Sequence, residues 1–529
     1  MYFLKKNLIK LLLLFNFCSL TIHAQGQSSL SDETAKLIKQ VNIRTVDGRE
    51  MAEVSLKLVL QLVIKHSISL KASKIGNSIA QRSLVAAQER NSPILTNSFG
   101  NSRSPSLSAS SSCSPAELCG SRSDTTSFSS AYNLKSDIGV TYGLTYSEQV
   151  TKSTTLSQSE MGSDVDTGAT GDPLAKASLT GSISIPFFQD SGKEYNEIPV
   201  RLAEVGIKRG NLNFQQTELS LLKQVASIYW DLVGILETVE VKKNAVILSE
   251  KLLRDNRARF KVGLLNATEV KVIENQLMLN RHSLLSKRLD ALRIEDQVRA
   301  ALNIKNLPFG LYPVDTPSNK IEISENISEL QKKIYENDPQ IGLKKASLEQ
   351  NRFQLEQELN KQKTNLDLNL SYILNGYGKN LFGSTSGFSK STLHGVSATL
   401  TWKVPLGDQV VVENVQRKRL EQQQLSLQIE DRKSQLDVSL QSLMRSLSLI
   451  EKEKQNAAAV RRLSKDQLRN EIKRFKFGKS TSYQISKFQQ DVVEAEQQEI
   501  LIRIRQEKLR VDLLALTGEF KKEYGLNKL

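Results

Sequence analysis

Arg259-Phe260-Lys261-Val262-Gly263-Leu264, followed by Asn266, Thr268 and Glu269, is the one turn signal in a stretch that otherwise reads as helix from Pro199 to Ile304. Before it, Leu219, Leu222, Ala226, Tyr229, Val233 and Leu236 alternate spacings of three and four, the seam of a coiled coil. Gly263 supplies the reversed backbone that ends a helix. Asn266 or Thr268 then offers an N-cap for a returning helix, with Glu269 in its first turn. The segment therefore reads as a long antiparallel helical hairpin. At ~1.5 Å per residue, the helix before the tip extends roughly 90 Å.

The hairpin occurs twice. Arg474-Phe475-Lys476-Phe477-Gly478 repeats Arg259-Phe260-Lys261-Val262-Gly263 at an offset of 215 residues. The helix before it carries Leu436, Leu440, Leu443, Leu447 and Ile450, again spaced four and three. A repeat this long is a duplicated fold, not a solenoid of short units. Ile68-Ser69-Leu70-Lys71 matches Ile341-Gly342-Leu343-Lys344 at an offset of 273, and Ile185-Pro186-Phe187 matches Val404-Pro405-Leu406 at 219. The first half is thus longer, and most of its excess lies between Pro93 and Pro186.

That excess is where the pattern changes. Residues 96–130 are Ser-rich, and Cys113 and Cys119 flank Ser-Pro-Ala-Glu-Leu. In an oxidising compartment these cysteines would close a small loop by a disulfide; two free thiols are the alternative. Ile138, Val140, Tyr142, Leu144 and Tyr146 then alternate with polar residues, as do Ala177, Leu179, Gly181, Ile183 and Ile185. The second half shows Leu366, Leu368, Leu370 and Tyr372, a polar loop, then Val396, Ala398, Leu400 and Trp402. Strands of about ten residues with period two and aromatics near their ends suit a membrane barrel. A soluble hairpin with one buried face is the alternative. Two such hairpins leave open edges that lipid does not tolerate, so a barrel reading requires several copies.

The chain begins as a targeting segment. Lys5, Lys6 and Lys10 precede the apolar Leu11–Leu14, and small residues place a cleavage site after Ala24. The apolar run is too short to span a bilayer as a helix. Residues 1–24 are therefore expected to be a signal peptide and the protein to be exported. Phe17, before Cys18, is not the small residue a lipidated cysteine needs. The formal charge of +15 is spread among Glu and Gln along helices, without a basic cluster interleaved with aromatics. Solvated helix faces explain it, and nucleic acid is not expected as a partner.

The expected organisation follows from these marks. Residues 25–303 form the first repeat, with a helix at 53–91, a strand region at 94–188 and the helical hairpin at 199–303, after a polar leader over 25–50. A linker with Pro308, Pro313 and Pro317 covers 304–325. Residues 326–518 form the second repeat, with a helix at 326–363, strands at 366–404 and a hairpin at 411–517; 519–529 is a polar tail.

Catalytic signals are missing. His23, His66, His282 and His394 are scattered, without Cys or carboxylate partners at metal spacing, and His282 reads as a surface residue. No Gly-rich phosphate loop or nucleophile elbow occurs. Neither an enzyme nor a cofactor is expected.

Taken in order, the Tyr229-Trp230-Asp231-Leu232 segment, the duplicated Arg-Phe-x-x-Gly tips, the Pro186 and Pro405 strand exits and Leu516-Thr517-Gly518 resemble the TolC-like outer-membrane factors. The resemblance implies a mixed, mainly α fold located in the outer membrane with a large periplasmic portion. Duplicated helical hairpins would form a periplasmic α-barrel. β-hairpins would contribute four strands per chain to the twelve-stranded outer-membrane β-barrel of a homotrimer. It further implies a channel-tunnel of a tripartite efflux or type I secretion system, working with a periplasmic adaptor and an inner-membrane transporter and embedded in outer-membrane lipid. Residues 94–133 depart from that pattern, either as a further hairpin or as an outer loop. A periplasmic adaptor or coiled-coil scaffold is the competing reading, but an adaptor has one helical hairpin only.

The resemblance also assigns roles. Val262-Gly263-Leu264 and Phe477-Gly478-Lys479, with Arg259 and Arg474 beside them, would receive the adaptor; plain helix capping is the alternative for the glycines. Family members close the tip with acidic residues six and nine positions after the second glycine, where this chain has Gln484 and Lys487. Glu269 occupies the first repeat's equivalent of Gln484. Closure by opposite charges, Glu269 with Lys487 or Arg474, is the expectation, against solvated charges of no consequence.

Overall fold

The computed structural model describes residues 42–526, apart from 47, 109–118, 157–171, 304–308, 319–325, 381–382, 390–393 and 405. The Cys113–Cys119 pairing and Pro405 lie outside the described residues, as does the signal segment 1–24. Three zones follow one another along the long axis: a strand sheet, an equatorial core, and two helical-hairpin tips.

At the equator, β1 (Ile43–Val46) and β2 (Arg49–Val54) form an antiparallel hairpin, and β7 (Gly310–Pro313) pairs in parallel with β2. Strand structure here replaces part of the expected leader and enters the expected linker. Next come α1 (Leu56–His66) and α2 (Ile68–Gln88). The helix expected over 53–91 is therefore two helices preceded by a strand. Ser67 ends α1 and caps α2, its hydroxyl accepting from the Leu70 amide at 3.4 Å. Likewise the helix expected over 326–363 divides into α6 (Ile327–Asn337) and α7 (Pro339–Lys361), numbered after the helices given below. Asp338 accepts from the Ile341 amide at 2.8 Å and pairs with Arg432 at 2.7 Å, while Pro339 begins α7 at a position that needs no donor.

A short α3 (Lys193–Asn196) leads into α4 (Ile198–Lys261), which returns as α5 (Ala267–Leu302). The second hairpin is α8 (Gln409–Lys476) and α9 (Ser482–Thr517). The tail carries α10 (Phe520–Glu523), whose Phe520 is fully buried. It joins Leu60, Leu222, Tyr229, Leu232 and Val298 in the main core. Each such buried side chain contributes about 1.5–3 kcal/mol relative to exposure. α4 is the one described helix apolar enough over a long window to cross a membrane, and 44% of that window is buried in this core and its surroundings. Polar groups pin the core. The Tyr229 hydroxyl donates to Asp315 at 2.6 Å, and Glu295 holds Arg299 at 2.6 Å while accepting from the Leu311 amide at 3.3 Å.

The helices form a single layer. Beside the strand zone the neighbours run α2, α4, α7, α8; toward the tips they run α5, α4, α9, α8. One flank of the layer is therefore α2 and α5, and the other is α8.

The strand zone is one antiparallel sheet in the order β3 (Ile94–Ser108), β4 (Cys119–Lys135), β5 (Thr141–Leu156), β6 (Leu174–Pro186), β8 (Asn365–Gly378) and β9 (His394–Lys403). The strand region expected over 94–188 thus holds four strands, and residues 94–133 are largely a further hairpin of the sheet. Ile138 and Val140, expected in the following strand, instead lie in the β4–β5 turn. Gly139 there has φ 95°, and a Cβ on it would stand 2.5 Å from the Asp190 carbonyl oxygen. Only glycine meets both conditions.

Candidate functional site

The two tips are built alike. α4 ends at Lys261; the Gly263 amide donates to Phe260 O at 3.0 Å and the Leu264 amide to Arg259 O at 2.9 Å. α8 ends at Lys476, with Gly478 donating to Phe475 O at 3.1 Å and Lys479 to Arg474 O at 2.9 Å. The left-handed residues are Gly263 (φ 77°) and Gly478 (φ 72°), and nothing lies within 4 Å of where either Cβ would be. Each glycine therefore serves the turn and leaves the backbone uncovered. The returning helices are capped by different means. Asn266 accepts from Glu269 at 2.8 Å, whereas Thr481 and Gln484 form a reciprocal capping box.

Around the turns, apolar side chains face solvent: Val262 is 70% exposed, Leu264 72% and Phe477 80%. Behind them the two hairpins are bound together. Val246, Leu252, Leu253, Val270, Ile273, Leu277, Phe475 and Ile485 share one apolar cluster. Arg259 lies 4.1 Å over the Phe475 ring, and the Ser482 hydroxyl donates to the fully buried Asn256. Asn256 was not anticipated as part of this site, yet it follows Leu252 and Leu253 at helical spacing, where an apolar residue would be expected. Glu471 is the same kind of residue, between Leu468 and Phe475. It is buried and accepts from Ser480 at 2.5 Å.

The charges expected to close the tip are placed as follows. Arg474 pairs with Glu471 at 3.2 Å, three residues back on its own helix, and so is committed elsewhere. Lys487 is exposed and Glu269 half-buried. Among the described residues, no ion pair joins Glu269 to Lys487 or Arg474 within one copy. Gln484 is drawn into the Thr481 cap, its side-chain oxygen accepting from the Thr481 amide at 3.2 Å.

At the opposite end the sheet has two unlike faces. One carries Leu95, Phe99, Phe128, Tyr132, Tyr142, Leu144, Leu179, Ile183, Leu366, Leu370, Tyr372, Val396, Leu400 and Trp402, all in cross-strand register. The other carries mainly Ser, Thr and Asn, with Lys176, Asp367 and Lys403 among them, and hydroxyl pairs Ser98–Ser129, Ser147–Ser178 and Ser371–Ser397 each at 2.7 Å. Glu148, a carboxylate on the face of Phe128, is buried. Tyr146 donates to it at 2.9 Å and Ser384, at the start of a 3-10 turn over Ser384–Ser389, at 2.5 Å. Apolar on one side and hydroxyl-lined on the other, the sheet has the pattern of a barrel wall between lipid and water.

No family model matches the chain, and no curated protein matches it. Solved structures do. The CmeC outer membrane channel of Campylobacter jejuni is 15% identical, with a TM-score of 0.62 over 88% of this chain and 86% of that one. The MtrE outer membrane channel of Neisseria gonorrhoeae, in its open state, is 15% identical, with a TM-score of 0.57 over 88% of each chain. The outer membrane protein VceC of Vibrio cholerae is 12% identical, with a TM-score of 0.58 over 88% of this chain and 96% of that one. The fold is that of these outer membrane channels. It is mixed and mainly α, with paired long hairpins below a strand sheet.

Proposed function

We propose that this chain is the outer-membrane channel-tunnel of a tripartite efflux or type I secretion system. Three copies would enclose a lumen that conducts substrates from an inner-membrane transporter and its periplasmic adaptor to the exterior, without chemistry on the cargo. The observation that carries this reading is the unfinished state of the layer at both flanks. α2 buries Leu70 but exposes Ile75 and Ile79, each 62%. α5 exposes Leu285 and Leu289, and α8 exposes Leu420, Leu427 and Leu449. Apolar flanks on opposite sides of one layer fit a ring in which α8 of each copy packs on α2 and α5 of the next. The sheet, continuous with the layer, ends in two strand edges that lipid would leave unpaired.

The apolar sheet face and the likeness in fold support a location in the outer membrane, with the helices in the periplasm. The exposed turns Val262-Gly263-Leu264 and Phe477-Gly478-Lys479, flanked by Arg259 and Arg474, are proposed as the adaptor contact. A free-standing adaptor or scaffold is disfavoured by six strands that partition apolar from polar.

The test is migration of the protein from purified outer membranes. A trimer-sized species that heating converts to monomer, and that forms conducting pores in planar bilayers, is expected. Recovery only as a soluble periplasmic monomer contradicts the reading.

A further inference from the structure

We infer that the β3–β4 hairpin is a segment of the barrel wall, so that three copies close an eighteen-stranded barrel through antiparallel pairing of β3 in one copy with β9 in the next. This rests on the trimer proposed above and departs from the twelve strands the family resemblance implies.

The hairpin sets its large apolar side chains on the same face as the rest of the sheet, at every second position of that face. Leu95 stands opposite Tyr132, which stands opposite Leu144; Phe99 stands opposite Phe128. Ser98 and Ser129 lie on the other face, beside the hydroxyls of β5 and β6. A hairpin lying outside the membrane as a loop would have no reason to keep Leu95 and Phe99 exposed, at 63% and 70%, level with the apolar band of its neighbours. The band ends where charge begins: Arg103 pairs with Asp124 at 2.7 Å, and Asp124 stands opposite Lys152. Below that line the face carries Leu95, Phe99, Phe128 and Tyr132, interleaved with Asn97, Asn101, Thr126 and Ser130; above it the face is charged.

Strand direction makes closure possible. All five contacts in the sheet are antiparallel, so among six strands the first and last run in opposite directions. β3 and β9 can therefore pair antiparallel between copies, as an even-stranded barrel requires. Their lengths agree as well. Pro105 lacks a donor and limits continuous pairing of β3 to the residues below it, a run comparable to the ten residues of β9. The topology sets the partners: β3 follows α2 and β9 precedes α8, so both edges continue the helical flanks already required to meet. Left open, each unpaired backbone group on these edges would face hydrocarbon.

Barrel diameter grows roughly linearly with strand number. Eighteen strands give an aperture about half again as wide as twelve, in the range of barrels that hold an aqueous channel. Its wall carries the hydroxyls of Thr96, Ser98, Ser129, Ser147, Ser178 and Ser397, with Lys176, Asp367 and Lys403 on the same face.

Cysteine pairing tests the closure in full-length protein with Cys113 and Cys119 replaced by serine. Thr96→Cys or Ser98→Cys in β3 is combined with Ser397→Cys, Thr399→Cys or Thr401→Cys in β9, and membranes are oxidised. At least one combination is expected to give reducible dimer and trimer bands in denaturing gels. Thr141→Cys, Thr145→Cys or Ser147→Cys in β5, the edge that a twelve-stranded closure would use, should give none with the same three β9 positions. A bond between β5 and β9 of neighbouring copies overturns the proposal, as does an intact trimer without any β3–β9 bond. Absence of any trimer overturns the channel reading with it.

Discussion

Arg259 stands 4.1 Å over the ring of Phe475, so the last turn of α4 and the last turn of α8 are joined by a cation on an aromatic face. The two residues occupy neighbouring positions in the duplicated tip motif, Arg259 opening the first copy and Phe475 standing second in the other. Duplication has thus produced a contact between the repeats as well as a likeness. A partly exposed pair of this kind contributes ~0.5–1 kcal/mol. Arg259→Ala and Phe475→Leu should each raise amide exchange at residues 255–265 and 470–485. Their effects should be less than additive in a double-mutant cycle. Strict additivity would mean the contact carries no coupling.

Gly263 and Gly478 separate turn formation from docking. A β-branched residue at positive φ costs ~1–2 kcal/mol, so Gly263→Val and Gly478→Val should lower trimer melting temperature. Asparagine tolerates the left-handed region, and open space surrounds both Cβ positions, so the Asn variants should fold normally. If the uncovered backbone receives an adaptor, export should still fall in the Asn variants, and in vivo crosslinking to the adaptor should weaken. Full export from folded Asn variants would assign these glycines to capping alone.

The tip charges give a prediction about closure. With Arg474 held by Glu471, the pair left for contacts between hairpins of different copies is Glu269 with Lys487. Exposed pairs contribute ~0.2–1 kcal/mol each, and three copies could bias the tip by on the order of 1–3 kcal/mol. Lys487→Glu should raise single-channel conductance at low salt, and adding Glu269→Lys should restore it. High salt should shrink the difference. Unchanged conductance in the single variant at low salt would exclude this gate.

Glu507 predicts a pH dependence. Burial pushes its carboxyl above the ordinary glutamate value of 4.5, opposed by the Ser318 amide, which donates at 2.6 Å, and by Arg510. A raised folded value means that the stabilising contribution is present below the unfolded value and is lost as pH rises through the folded one. Glu507→Gln keeps an acceptor for Ser318 without the buried charge. It should raise the melting temperature more at pH 8 than at pH 4.5. An equal shift at both values would mean that ionisation is not the cause.

The long hairpins were legible because their signals are local: Gly263 and Gly478 at the turns, Asn266 and Thr481 at the caps, and apolar spacing of three and four. β2 was not, since Glu53 and Val54 owe their strand conformation to Tyr312 and Pro313, far away in the chain. The break at Ser67 was hidden for another reason: one serine serves as both C-cap and N-cap, without a glycine or proline to mark it. The β3–β4 hairpin read as a Ser-rich stretch because its lumen face is hydroxyl-lined and its apolar face is carried by Leu95, Phe99, Phe128 and Tyr132, four residues apart on each strand. At that spacing a period of two is barely visible. At the tips the exposed residues were found from the repeat, whereas Asn256 and Glu471 act through burial that only packing between hairpins creates.

Electron cryomicroscopy of protein extracted from outer membranes, without crosslinker, tests the channel most directly. The account predicts three copies about one axis around a continuous lumen. Leu427 and Leu449 of each α8 should be covered by α2 and α5 of the neighbour. Monomers with the α8 flank open to solvent, or a ring whose sheets leave the apolar face turned toward the lumen, would contradict it.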